Sequence, residues 1–252
     1  NYYRIPVGES IGLQTEATDV ETLRALCRVL AQQAGELRPQ CGEDAEGVFA
    51  SAVSYGELAD TASAAVTALD ELYGVQLFGL AGRTRPKAMR FSEVMSYIQL
   101  TGVIFPYISE ANINVHQPAY GISSTMCHEL SHICGFMRED EANFISYLAC
   151  YHSSSTELRY SGAMLGLIHA TNRLTRYDAD AWREVGALLP EGVLRDLAAN
   201  NRYWARYDTP VGETADRWND AYLKANAQTD GVQSYGRMVD LLIAFYRAQG
   251  LI

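Results

Sequence analysis

The stretch Ser124–Phe136, reading STMCHELSHICGF, constrains this chain more than any other. Cys127, Leu130, Ile133, Cys134 and Phe136 make a helix here apolar over most of its surface, so it is expected to be buried. Into that surface the sequence sets His128, Glu129 and His132. Residues four apart share a helix face, so His128 and His132 are stacked. Glu129, one residue on from His128, turns about 100° away. Two imidazoles and a carboxylate buried without partners are costly. A metal ion supplies the missing partner.

Two histidines at this spacing can hold one tetrahedral zinc ion. Glu129 is then directed at water beside the metal rather than at the metal itself. This is the HExxH arrangement, with the glutamate as general base. Ser124 and Thr125 before the pair and Gly135 after it are small, which allows other segments to approach closely.

A zinc site that does chemistry needs a third protein ligand and one open position. Gly135 is expected to end the helix, and the chain turns into REDEANF. Glu139 and Asn143 are four apart on the next helix, with Ala142 on the same side. Glu139 is therefore expected as the third ligand, with Ala142 allowing close packing and Asn143 supporting a ligand from behind. Glu141 points about 160° away from Asn143. Glu157, after Ser153–Ser155, is a more distant rival. Tyr160, in LRYSG, is the nearest candidate for a catalytic second donor to an oxyanion; Tyr203 and Tyr235 are others. His116, His152 and His169 lack a paired spacing and are expected at the surface or satisfied in the core. Trp182, Trp204 and Trp218 sit in helical patterns and are expected in the core.

The rest of the chain supplies a scaffold. A helix is predicted from Thr18, where Thr18 and Glu21 have capping-box spacing. Another is predicted over Glu57–Tyr73, ending at Gly74. AMRF, GVIFPYI and NINVH are predicted strands. Helices are predicted over 123–135 and 139–151, with a helical series from Thr156 and turns at Pro190–Gly192, Pro210–Gly212 and Asp230–Gly231. The expected class is α+β, mostly helical with a small sheet beside the HExxH helix. The 252 residues fit one catalytic domain. It would have an N-terminal helical part (1–85), a core with sheet and active-site helix (86–155) and a C-terminal helical part (156–252).

Composition removes some alternatives. Net charge is −10 and no run of Lys or Arg occurs, so nucleic acid is not an expected partner. No apolar run approaches the roughly 18–20 residues of a membrane helix, and no secretory signal is visible. Five cysteines without a CxxC pair do not make a disulfide framework. Cys127 and Cys134 read as small buried hydrophobes; Cys27 and Cys41 could pair in an extracellular domain.

The HExxH pair followed by a Glu-x-x-Ala-Asn helix resembles the gluzincin branch of zinc peptidases. That branch includes the CAAX-prenyl proteases and the peptidases that cleave phage-type repressors. Longer stretches resemble an uncharacterised bacterial family in which membrane-spanning segments precede a zincin-like domain. They are NYYR (1–4), EANIN (110–114), HELSHICGFMREDEANFISYLA (128–149), RYSG (159–162) and YLKANAQTDGVQSYG (222–236). The resemblance implies a zincin-like fold and a zinc metallopeptidase acting on a peptide or protein. It also implies that this chain is the soluble, extracytoplasmic part of a protein anchored in a membrane by segments absent from it. In zincins the strand before the active helix is a sheet edge to which substrate adds, and Asn112 and Asn114 would share a face there. The six residues between His132 and Glu139 are fewer than in most gluzincins. Gly135 stands as in metzincins, but Arg138 occupies the place of their third histidine. The alternative expectation is a zinc-binding sensor or binding module with a structural or occluded site.

Overall fold

The computed structural model describes residues 4–105, 107–178, 180–208 and 235–252. Asn1–Tyr3, the turns expected at Pro210–Gly212 and Asp230–Gly231, Trp218 and most of the 222–236 stretch lie outside the described residues, as does the Tyr235 side chain. The elements are α1 (Val7–Ser10), α2 (Val20–Leu37), α3 (Tyr55–Tyr73), β1 (Lys87–Ala88), α4 (Ser92–Tyr97), β2 (Gly102–Phe105) and β3 (Glu110–Ile113). After them come α5 (Ala119–Ile133), α6 (Glu139–His152), α7 (Thr156–Tyr177), α8 (Ala181–Gly186), α9 (Glu191–Ala205) and α10 (Tyr235–Ala248). The class is α+β, mostly helical with one three-stranded sheet.

Local chemistry sets the helix ends. Asp19, not Thr18, caps α2 by accepting from the Thr22 N–H, because its carboxylate is the stronger acceptor at a helix start. The Thr18 hydroxyl turns instead to Asp240 on α10. Ser54 and Glu57 make a full capping box on α3, and Gly74 ends that helix at φ 64°. Gly135 ends α5 at φ 92°, with Gly135 N–H to His132 O and Phe136 N–H to Ser131 O. This double closure needs the left-handed conformation that glycine adopts without strain. It reverses the chain in a few residues, so α6 returns against α5.

Helices α5, α6 and α7 pack on one another, with α2 along α7, α3 across α5 and α6, and α10 against α6 and α7. Tyr147, Phe144, Leu30, Met126 and Ile113 are among the largest side chains they bury completely. Cross-links reinforce the layers: the Ser124 N–H donates to Ser161 Oγ, and the Ser146 hydroxyl donates to Ser124 O. Gly162 is required at the α6–α7 crossing, where a Cβ would lie 2.5 Å from Cys150 Cβ.

The sheet has the order β1-β3-β2, with β1 parallel and β2 antiparallel to β3. It packs on α5. The segment expected at the edge, β3, is central. The edge beside α5 is β2. Asn112 and Asn114 are both buried, and the Asn114 amide donates to Ser96 Oγ and Leu100 O, fixing the turn into β2. All five cysteines are free, so Cys27 and Cys41 do not pair, while Cys127 and Cys134 are buried as expected. No helix among the described residues is long and apolar enough to cross a membrane.

Candidate metal centre

Helix α5 carries His128, Glu129 and His132 one turn before the Gly135 reversal, and α6 presents Glu139 at its first residue. The His128 Nε2 lies 3.3 Å from one Glu139 oxygen, and the His132 Nε2 lies 3.5 Å from the other. Ligands held about 2.0–2.2 Å from a tetrahedral ion are roughly 3.3–3.6 Å apart. The measured separations match that spacing, and these three residues form a group whose ligand atoms all lie within 4.8 Å of one another.

The far side of each ring fixes what it offers the cluster. The His132 Nδ1–H donates to Phe136 O at 2.7 Å. The His128 Nδ1 stands 2.9 Å from Asn143 Oδ1, to which it donates. With both Nδ1 atoms used as donors, each neutral imidazole turns an Nε2 lone pair toward the Glu139 carboxylate. Three acceptors then converge, and only a cation or added protons can hold them together. A donor set of two imidazoles and a carboxylate can hold a divalent metal ion.

The electrostatics reflect that demand. Burial alone would lower the His132 pKa, but its hydrogen bond to Glu139 and the charges of Glu139 and Glu129 raise it to about 9. Burial alone would raise the Glu139 pKa, but hydrogen bonds from His128 and His132 hold it far below the carboxylate range. Each group stabilises the charged form of the other. Glu129 differs. Burial pushes its pKa up, and the neighbouring histidine charges only partly offset this.

Glu129 rests against the edge strand. A Cβ on Gly102 would lie 2.6 Å from Glu129 Cγ and overlap the carboxylate, so only glycine fits there. The cluster, Glu129 and β2 share a cavity of about 1130 Å³ with α7, α9 and the N-terminal segment at Arg4 and Pro6.

Other expected residues fall elsewhere. Glu141 accepts from the Val7 N–H at 2.6 Å, tying α1 to α6. Glu157 accepts from Ser51 Oγ and the Ala52 N–H, pinning a distant loop. Tyr160 does not line the cavity. It is fully buried, and its hydroxyl donates to Asp196. That bond leaves no donor for an oxyanion, so Tyr160 does not take the catalytic role expected of it. Tyr203 is likewise outside the cavity, bound to Ser96 and beside His116. Trp182 is part-exposed rather than core. Trp204, also expected in the core, lines the cavity together with His169 from α7. Burial and the nearby His128 lower the His169 pKa to about 4. Nothing in the sequence marks His169 and Trp204, because α7 and α9 reach the site only through the packing of the bundle.

The chain belongs to the family described as protein of unknown function (DUF3810), which it matches over residues 1–243. No curated protein and no solved structure matches it.

Proposed function

We propose that this member of the family is a zinc metallopeptidase that hydrolyses peptide bonds in a peptide or protein substrate. The observation that carries the proposal is a three-donor cluster with a separate buried carboxylate, Glu129, on the same helix and in the same cavity. A metal held only for structure has no use for that carboxylate.

Zinc would be held by His128 Nε2, His132 Nε2 and the Glu139 carboxylate. When bound, the ion acts as a Lewis acid that acidifies water and polarises a carbonyl. Glu129 takes the proton as water attacks the carbonyl carbon, then delivers it to the amine nitrogen as the C–N bond breaks. Its raised proton affinity suits both halves of that transfer. Asn143 and the Phe136 carbonyl keep the Nε2 atoms aimed inward. Among the described residues β2 is an edge strand, and its Gly102–Ile104 line the cavity, where an extended substrate adds as a further strand. The resemblance noted above supports a membrane-anchored, extracytoplasmic setting.

A sensor or binding module with a structural zinc would need a fourth protein ligand. Among the described residues the cluster has three, and Glu141 and Glu157 are engaged elsewhere. The test is the metal content of the purified chain beside Glu139→Ala and Glu141→Ala. The expected result is about one zinc per chain, lost with Glu139→Ala and retained with Glu141→Ala. A wild-type chain that takes up no metal, even after reconstitution, would overturn the proposal.

A further inference from the structure

The turn from His132 to Glu139 carries two parts of the metal cluster, and much of what holds it comes from elsewhere in the chain. Phe136 O, in the middle of the turn, receives the His132 Nδ1–H, and Glu139 opens α6 three residues later. Arg138, the N-cap residue, turns to Asp140 and supplies no side-chain cap to that helix. Gly135 closes α5, but it does not fix where the Phe136 ring and the start of α6 lie.

Two distant segments meet on that ring. Leu77 and Phe78 follow α3, and the Asp70 carboxylate accepts both of their N–H groups. Phe78 stacks on Phe136 with ring centroids 5.5 Å apart, and the Cys134 thiol donates to Phe78 O. Arg4 arrives from the N-terminal segment. Its guanidinium carbon lies 3.9 Å from the centroid of the Phe136 ring. Its Nη1 donates to Cys134 O, and its Nη2 donates to Leu77 O at 3.4 Å. The partners of Arg4 among the described residues are thus two carbonyls and a ring. They suit a planar cation with separated N–H groups, which arginine offers and lysine does not. Three residues on, the Val7 N–H donates to Glu141 Oε1 at 2.6 Å and ties the same segment to the first turn of α6. Arg4 and Pro6 also line the cavity.

We propose that Arg4 is a positioning residue for the metal centre and acts through Phe136. It joins the platform after α3 to the turn and covers the ring of the residue whose carbonyl aims His132. On the metal reading above, on which the consequence for affinity rests, Arg4 sets the direction of His132 Nε2 and the separation of His132 from Glu139. The N-terminal segment then does two things at once. It forms part of the cavity wall and it clamps the turn that bears the third ligand. Metal affinity depends on this segment, although none of its residues belongs to the donor cluster.

The test is the zinc affinity of the whole chain beside Arg4→Ala, Arg4→Lys and Glu141→Ala, by competition with a chelating dye, together with hydrogen exchange of each metal-free chain. Loss of a group that orients a ligand from behind costs about 10–100-fold in affinity. Arg4→Ala should fall at the lower end of that range, because it acts through Phe136, and should keep the wild-type stoichiometry at saturation. Arg4→Lys keeps a cation over the ring but reaches one carbonyl at most, and should recover part of the loss. Glu141→Ala cuts the Val7 tie and leaves Arg4 on Phe136, and should stay near wild type. In metal-free Arg4→Ala the Gly135 and Phe136 amides should exchange faster, while α2 and α3 stay protected. Wild-type affinity in Arg4→Ala would overturn the proposal. So would a loss of affinity with faster exchange throughout the helices, which is a general loss of stability. So would unchanged affinity with a raised KM for peptides, which would make Arg4 a substrate contact. A wild-type chain that takes up no zinc would remove the metal reading, and exchange at Gly135 and Phe136 would still decide whether Arg4 clamps the turn.

Discussion

Two clusters of buried charge lie within this one bundle, and they are finished differently. In the first, Asp196 on α9 is wholly buried and accepts from Arg38 Nε at 2.7 Å, the Phe49 N–H at 2.7 Å and the Tyr160 hydroxyl at 2.5 Å. Arg38 also donates to Gly47 O. Donors and acceptors are matched, and the cluster is closed to solvent. In the second, His128, His132 and Glu139 turn acceptors toward one another and keep side-chain exposures of 15%, 9% and 20%. Their donors point away, to Asn143 and Phe136. The first cluster is complete as protein. The second needs a cation or added protons to be complete, and stands open to a cavity. Burial and charge alone do not separate a structural cluster from a working one; the balance of donors and acceptors does.

The comparison is broken most directly at Glu129. Glu129→Gln should lower hydrolysis about 10²–10⁴-fold, the usual contribution of a general base, while the metal content stays at the wild-type level. Turnover of a peptide library beside elemental analysis measures both. Undiminished turnover would remove Glu129 from the chemistry. Asp196→Ala is the matching change in the closed cluster. It strands the Arg38 guanidinium in the core and should cost about 3–5 kcal/mol of stability, read as the urea midpoint. The folded fraction should still bind metal. A variant that kept its stability and lost its metal would show that the two clusters are coupled and that the contrast between them is false.

The sequence made the open cluster far more legible than the closed one. His128, Glu129 and His132 share one helix, so helical spacing alone positions them. Glu139 and Asn143 could be placed because Gly135 reverses the chain over a short, stiff turn. The closed cluster joins residues 38, 49, 160 and 196, which no local period connects. Tyr160 looked available because Asp196, its partner, is 36 residues away. For the same reason His169 and Trp204 read in sequence as core or surface residues rather than as cavity lining. The sheet was legible as three apolar stretches, but its order was not. Strand β2 takes the edge because β3 pairs with both neighbours, and that pairing depends on the Asn114 clamp and on the space left at Gly102. Helix α4 was missed because it is six residues long, too short for a period to emerge.

Asn143 sharpens the comparison from the open side. Asn143→Ala removes the acceptor that fixes the His128 ring, and should weaken metal binding about 10–100-fold with little change in stability. Competition with a chelating dye measures the first and thermal unfolding the second. A variant that bound metal as tightly as wild type would show that packing alone orients His128.

The mildest perturbation of the open cluster is pH, and the sign of its effect on metal affinity follows from the pair of shifts. In the metal-free chain His132 is raised from 6.5 to about 9, so its contribution to stability is full below pH 6.5 and is lost as pH rises through about 9. Glu139 is lowered from 4.5, so its contribution is present above that value and is lost as pH falls toward its depressed pKa. Between about pH 4.5 and 6.5 the two groups stabilise each other most, and an incoming cation must displace the proton that joins them. That competition falls steadily as pH rises, until the proton leaves His132 near pH 9. Apparent affinity for zinc should therefore climb by up to about tenfold per pH unit between pH 6.5 and 9, then level off. Calorimetric titrations at three pH values in that range test this, and buffers of different ionisation heat count the protons released. An affinity flat across the range, with no proton release, would mean that the acceptors are held together by something other than a shared proton. The closed cluster around Asp196 has no proton to exchange for a metal, and the contrast between the two would then need a different physical basis.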